Sequence, residues 1–469
     1  MLFNSSLFVL FAAVVFPAAW LLRGRARKLL LLVASYAFYG AWDWRFLGLL
    51  AGSTVVDYLV AEGLRKSDDV RRRRLLLLVS CVANLGALGF FKYADFFVAS
   101  ADALLQSLGL GALTGRLGVV LPVGISFYTF QTMSYTIDVY RRRLEPCRDV
   151  VDFALYVSFF PQLVAGPIER ATHLLPQIER PRGVTRDDLA IGAWLITLGY
   201  FKKCVVADNL AVLVDQAFNA ESTPSGLVCL LALYGFAFQI YCDFGGYSDI
   251  ARGLARLLGF DLSVNFRFPY VATNPQEFWH RWHVSLSTWL RDYLYIPLGG
   301  SRGGTLATYR NLLLTMVLGG LWHGASWLFV LWGLYHGLLL CAHRAVVGRV
   351  AGRTHGSVLP LGVRWFGMFH LTCLGWLLFR ARSVGQVGSF LGHIATFAPG
   401  EGNAAALVAQ LLLFVGMLTA VELWARNRDD VREAPLWRWG VGPAVVVALW
   451  TAFLLLRSTE SAQFIYFQF

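Results

Sequence analysis

The chain has 469 residues, 57% of them hydrophobic and only 15% charged, with a formal net charge of +12 and a mean hydropathy of +0.55. That balance excludes a set of ordinary soluble domains and describes a multi-pass protein of the lipid bilayer. The positive charge could suit nucleic acid, but the arginines cluster between apolar runs, so cytoplasmic loops account for it and no nucleic-acid partner is implied.

In chain order, apolar runs near 6–22 and 29–43 are joined by the basic RGRARK loop. The opening MLFNSS has no basic residue, and Arg23, Arg25, Arg27 and Lys28 follow the first run. A cleaved signal peptide has the opposite order, so the first run is expected to be a retained span with its N-terminus outside. A third run near 45–62 ends at RKSDDVRRRR, and a fourth near 75–92 leads outward. Residues 93–117 are weakly apolar and expected on the outer surface; 118–140 returns to three arginines at 141–143. This threading places the basic loops 23–28, 64–74 and 141–148 on one side.

From Val150 to Gln177 the pattern breaks. FFPQLVAGPIER holds two prolines and a glycine, so a broken or re-entrant segment is predicted, tolerated at membrane depth only where protein or water surrounds it. A charged loop at 178–188, a helix near 189–207 carrying Lys202 and Lys203, and a span near 225–243 follow. The last runs into YCDFGGYSDIARGLARLLGF, where Asp243 and Asp249 sit beside glycines and Arg252 and Arg256 share a helical face. From there to Arg310 nothing is apolar and long enough to cross. The region 250–310 is expected to face the cytoplasm as short, tryptophan-rich amphipathic helices.

An apolar run from Asn311, the WHGASW motif and a span near 327–346 make a histidine-bearing region at 311–346, closed by basic HRAVVGRVAGR. Spans near 362–379, 405–424 and 439–457 finish the chain, separated by 380–404 and RNRDDVREAPLWR, and both termini are expected outside. The expectation is one all-α polytopic domain, 1–469, with about eleven transmembrane helices plus re-entrant and amphipathic pieces. No internal repeat or low-complexity segment is visible. The seven cysteines contain no CxxC pair and mostly sit in apolar runs, which predicts buried thiols rather than a disulfide framework or zinc site.

Chemistry concentrates in 274–326, where three of the nine histidines lie among aromatic residues and fixed charges. His323 interrupts an apolar run between Trp322 and Gly324, with twelve residues between it and Arg310. An ionisable side chain at membrane depth is expensive unless it faces a cavity or a partner, which makes it a functional candidate. A neutral imidazole there could accept a proton, as a general base acting on a hydroxyl must; the bland alternative is a core histidine bonded to a neighbouring helix. Glycines at 319, 320 and 324 would allow close approach. His280 and His283 share a face if their segment is helical, but without HExxH or a second ligand pair no metal is expected. Glu277 and Arg281 stand four apart as an ion pair would, while adjacent Arg291 and Asp292 are expected to point apart. Trp279, Trp282 and Trp289 read as an interfacial belt or core stripe. GGSRGG, with Arg302, is either a phosphate cradle or a connector. Asp57 and Asp138 fit helix pairing and a polar path equally well.

The block FWHRWHVSLSTWLRDYLYIPLGGSRGG followed by LWHGASW closely resembles the signature of the membrane-bound O-acyltransferase superfamily, in its branch of alginate O-acetyltransferase membrane subunits. FFPQLVAGPIER, GYFKKCVVADNLA, YCDFGGYSDIARGLARLLGF and the terminal FIYFQF spread the resemblance over essentially the whole chain. The resemblance implies a fold around a central tunnel, with acyl donor entering from the cytoplasm and acceptor from outside. It also implies His323 as the catalytic residue and His283 as the second polar residue of the reaction centre. His280 stands where relatives usually carry arginine and receives no role. Arg281, Trp282, Arg291, Asp292, Arg302 and Trp322 are substrate-binding candidates; Arg281, Arg291, Arg302 and Arg310 would suit the CoA phosphates. The expected activity is acetyl transfer from acetyl-CoA, with no bound cofactor, to a secreted polysaccharide, through a periplasmic SGNH-type partner, in a bacterial inner membrane. An acetyl-histidine relay is an alternative to direct transfer. Competing readings are carrier-protein-dependent D-alanyl transfer to a cell-wall polymer, a proton-coupled transporter using His323 and Asp57, and an assembly subunit without chemistry. No inverted repeat supports transport.

Overall fold

The computed structural model describes residues 1–110, 117–350, 359–425, 430, 441–458 and 464–465. The charged segment 426–438 apart from Asp430, the end of HRAVVGRVAGR, and the last four residues of FIYFQF lie outside them. Among the described residues every regular element is helical. Seven helices among the described residues are long and apolar enough to cross a membrane: Trp44–Arg65, Val70–Ser107, Arg186–Asn219, Gly226–Leu257, Trp327–Val346, Leu361–Arg380 and Ala404–Trp424. Ser6–Leu21 and Gly442–Leu456 are shorter apolar helices. The chain is therefore a multi-pass membrane protein, consistent with large apolar side chains such as Val9, Leu10, Val14, Leu78, Val82, Leu412 and Leu454 standing exposed on these helices.

Several stretches differ from the sequence reading, among them the helix expected near 189–207, which runs from Arg186 to Asn219. Residues 93–107 continue the fourth helix, which accommodates the Gly89–Tyr93 segment as a π-helical turn instead of stopping. The Gly226–Leu257 helix carries on well past 243, through Gly245 and Gly246. The expected break at 150–177 is present: helix Val150–Ser158 ends at Phe159, a single turn Phe160–Leu163 follows, and Ala171–Glu179 begins after an irregular link.

Two compact units divide the chain, Met1–Gly192 with Ala251–Ser263, and Ala193–Ile250 with Val264–Phe469. In the first, Asp57 is fully buried and holds three helices together. Its carboxylate accepts from Ser80, from Asn84 Nδ2 at 2.8 Å and from Thr136 Oγ1 at 3.2 Å. Helix pairing is thus its observed part. Buried Arg73 closes two helix ends at once, donating to the carbonyls of Leu64 and Ser67 and to those of Val139 and Tyr140; a cation there also answers the negative end of each helix dipole. The broken segment is pinned by buried Glu169, which accepts from the Ser263 amide at 2.5 Å and meets His173 Nδ1 at 2.7 Å.

In the second unit a buried ionic cluster ties three long helices together. Lys202 Nζ lies 3.1 Å from Asp249 and 3.8 Å from Glu422, and Lys203 Nζ lies 2.8 Å from Asp208 and 2.7 Å from Asp243. Pairing is what makes four carboxylates and two ammonium groups tolerable at that depth. Asp243 also accepts the amide of Ile465 at 2.7 Å, anchoring the end of the chain. All seven cysteines are free thiols, five of them buried.

Candidate active site

The site grows out of two helices, Gly304–His323 and Trp327–Val350, that pack without side chains between their backbones. A Cβ on Gly320 would stand 2.2 Å from the Phe329 carbonyl oxygen, and one on Gly333 2.2 Å from that of Met316. Small residues are how membrane helices achieve such proximity, and Gly333 with Gly337 forms a G-x-x-x-G pair for it. The helix ends at His323, where Gly324 turns extended (φ −165°, ψ 156°), and a Cβ at 324 would stand 2.2 Å from the Phe329 ring, so glycine is what fits there.

A cavity of about 1200 Å³ runs along the first helix. Thr305, Tyr309, Leu312, Met316, Gly319 and His323 all line it. Their spacing keeps them on one helical face, and the eighteen residues from Thr305 to His323 correspond to roughly 27 Å of rise. Arg344 and His343 line the cavity too, and the Cys341 thiol near them reaches the Tyr309 carbonyl. That places a basic mouth at the Thr305 end. At the other end His323, 4% exposed, is walled by aromatic rings: Trp322 at 5.1 Å, Trp332 at 4.9 Å and Phe379 at 5.4 Å between centroids.

His283 does not line this cavity, although its neighbour Val284 does. Its ring is fully buried, edge-on to Phe244 at 4.7 Å, and 5.9 Å from the Trp322 indole. Both histidines thus flank one tryptophan, which keeps their centroids within about 11 Å of each other given the 5.9 and 5.1 Å distances. The backbone at His283 is left-handed, φ 41° and ψ 55°, uncommon for a residue with a Cβ. It is held there by Val284 N donating to Asn265 O at 2.9 Å and by Ser285 Oγ donating to Asn265 Oδ1 at 2.6 Å.

The other predicted residues separate. Arg291 lines the cavity and bonds its neighbour Asp292, Nε to Oδ1 at 2.8 Å. The two were expected to point apart; the long arginine stem folds back and closes the gap that adjacent helical positions leave. Arg281 is not among the lining residues and is engaged with Glu277 at 3.0 Å, the predicted i, i+4 pair, and with the Arg267 carbonyl at 3.0 Å. Trp282 packs against Trp376 at 4.6 Å. Arg302 is not among the lining residues, although Ser301 is, and Arg310 donates to Asn311. Buried Trp322 stands between the histidines. Among the described residues no three potential metal ligands converge.

Sequence reasoning passed over several residues. His280, given no role, lines the cavity, as do Arg267 and Arg344. His336 is 1% exposed and its two ring nitrogens have no hydrogen-bond partner among the described residues; it packs on Trp332 at 4.8 Å. Its signal was available, since it interrupts an apolar run just as His323 does. Trp332 Nε1, beside His323, is likewise buried without a partner among the described residues.

A buried histidine lining a long cavity, inside an all-helical multi-pass protein, is the candidate active site. The family model of MBOAT, the membrane-bound O-acyltransferase family, matches residues 147–379. The chain is 39% identical over 497 residues to a probable alginate O-acetylase of Pseudomonas putida, covering all of both chains. It is 44% identical over 390 residues to a probable alginate O-acetylase of Azotobacter vinelandii, covering 82% of this chain and 76% of that one. To the peptidoglycan O-acetyltransferase of Helicobacter pylori it is 32% identical over 521 residues, covering 100% and 98%. The protein belongs to the membrane-bound O-acyltransferase family and is an O-acyltransferase.

Proposed function

We propose that this protein transfers acetyl groups from acetyl-CoA for the O-acetylation of a polysaccharide outside the cytoplasm. The observation that carries the reading is the cavity leading about 27 Å from a basic mouth to His323. An anionic donor suits Arg344 and His343 at the Thr305 end and Arg291 on the wall, and the wall of Leu312, Met316 and Gly319 leading to His323 suits a thioester arm. Relatives named for alginate and for peptidoglycan point to a glycan acceptor.

In this reading His323 takes the proton of the acceptor hydroxyl as the oxygen attacks the thioester carbonyl carbon. The new C–O bond forms, the C–S bond breaks, and the proton passes to the departing sulfur to give CoA thiol. A general base contributes roughly 10²–10⁴-fold to such a step, and Trp332 Nε1 offers a donor for the carbonyl oxygen. His283 is a positioning residue, acting through Trp322. The cell setting is the bacterial inner membrane, with donor from the cytoplasm, and a periplasmic SGNH-type partner completes delivery to the polymer.

The test uses purified protein, acetyl-labelled acetyl-CoA and alginate or peptidoglycan oligosaccharides, with CoA thiol and labelled ester both quantified. The expected result is stoichiometric thiol release and ester formation, lost in His323→Gln that still elutes as a folded protein. Full activity in that variant refutes the assignment.

A further inference from the structure

We propose that a second cavity, at the start of the Gly24–Gly40 helix, binds a phosphate ester, supplied as the phosphodiester headgroup of an anionic phospholipid. This cavity of about 560 Å³ lies in the first unit and shares no lining residue with the cavity at His323. Its wall includes Trp20, Arg23, Gly24, Arg27 and Arg182.

Three independent features point to an anion. Arg27 is 8% exposed; one of its terminal nitrogens donates to the Leu258 carbonyl at 2.6 Å, while its Nε has no acceptor among the described residues. Arg27 thus brings to the cavity wall a guanidinium that has no ion pair among the described residues, a group suited to phosphate oxygens. Second, the Gly24–Gly40 helix opens at the cavity with no side-chain cap, so its first N–H groups and the positive end of its dipole are available. Gly24 has φ +55° and nothing within 4 Å of where a Cβ would lie, so the approach is open. Third, the cations of this loop are not equally occupied. Arg25 meets Asp149 at 3.6 Å and Lys28 meets Asp152 at 2.8 Å. Arg182 is committed to Asp188. Arg23 has no ion pair among the described residues, so it and Arg27 carry the uncompensated charge.

The rim selects a lipid over a soluble ion. Trp20 is 49% exposed, with Nε1 tied to the Leu257 carbonyl at 2.8 Å, and Leu22 and Leu189 are also exposed. An anchored indole beside exposed leucines matches the headgroup level of a bilayer, where basic pockets between helices hold anionic headgroups.

The test measures thermal stability and bound-lipid mass of the purified full-length protein in neutral detergent. Phosphatidylglycerol, phosphatidylcholine with the same acyl chains, and inorganic phosphate are each titrated against wild type, Arg23→Gln and the exposed-charge control Arg74→Gln. Phosphatidylglycerol is expected to stabilise and to appear as an adduct, with phosphatidylcholine inert, and Arg23→Gln to weaken its apparent affinity about 5-fold while Arg74→Gln leaves it unchanged. Equal stabilisation by inorganic phosphate would overturn the lipid assignment in favour of a soluble anion. Equal response to phosphatidylcholine, or equal affinity in both arginine variants, would overturn the site itself. Acetyl transfer is not the readout, so failure here is separate from failure of the proposed reaction.

Discussion

Gly333→Ala should cripple the enzyme without touching any group that does chemistry. A Cβ at 333 would stand 2.2 Å from the Met316 carbonyl oxygen, 2.9 Å from the Met316 carbonyl carbon and 2.9 Å from the Val317 Cα. Ordinary contact begins near 3.4 Å, and all three obstacles are backbone. The two helices must therefore part by about 1 Å. Overpacking of this kind costs about 1–3 kcal/mol. The larger effect falls on geometry, because Met316, Gly319 and His323 line the cavity from one helix and Trp332, next to Gly333, from the other. A displacement of about 1 Å can lower a rate ~10²-fold. Acetyl transfer and thermal unfolding in detergent would be compared between Gly333→Ala and Gly367→Ala, whose added methyl meets nothing within 4 Å. The expectation is a Tm drop and ~100-fold slower transfer for the first and wild-type behaviour for the second. Wild-type turnover in Gly333→Ala would refute the claim that close helix approach positions the site.

Asp57→Ala should destabilise the first unit by about 3 kcal/mol or more, because Asn84, Ser80 and Thr136 lose a shared buried acceptor; a denaturant or thermal melt reads it, and Asp57→Asn should recover part of the loss. The Glu169 carboxylate, by hydrogen bonding, raises the His173 pKa above its usual 6.5. Its stabilising share is therefore full below 6.5 and is lost as pH climbs through the raised value. Melts across pH 5.5 to 8.5 (roughly the histidine range) should fall with pH in wild type and flatten in His173→Gln. Arg291→Gln should raise the KM for the acyl donor, whereas Arg281→Gln, whose guanidinium is spent on Glu277 and Arg267, should lower stability with KM unchanged. Steady-state kinetics on both variants separate the two roles.

The sequence was most legible where composition changes abruptly. The spans at 327–346, 362–379 and 405–424 agree with Trp327–Val346, Leu361–Arg380 and Ala404–Trp424 to within a residue or two, since basic loops and glycine-rich links bound them. The break in FFPQLVAGPIER was equally visible, because Pro161, Gly166 and Pro167 cannot continue one helix. What hydropathy could not show was persistence of a helix through polar or small residues. Gly246 stays helical because its bare Cα packs on Gly199, where a Cβ would meet the carbonyl oxygen at 2.7 Å. Lys92 and Tyr93 read as a helix end, yet the backbone absorbs them in a π-helical turn. In the site, the WHG and RWH motifs led to His323 and His283, but motifs carry no depth. Only packing shows His323 at the cavity and His283 behind Trp322. The cavity arginines were legible only in part: Arg291 lies in the motif and lines the cavity, Arg281 lies in the motif but is held by Glu277 and the 267 carbonyl, and Arg344 lies outside it on the next helix.

The most direct test of the central claim is the acetyl content of secreted glycans, measured by mass spectrometry in wild type, a deletion strain, and the deletion carrying His323→Ala at equal membrane abundance. The account predicts acetyl ester lost in the deletion, restored by the wild-type gene and not by His323→Ala. Acetylation unchanged across all three strains would contradict it.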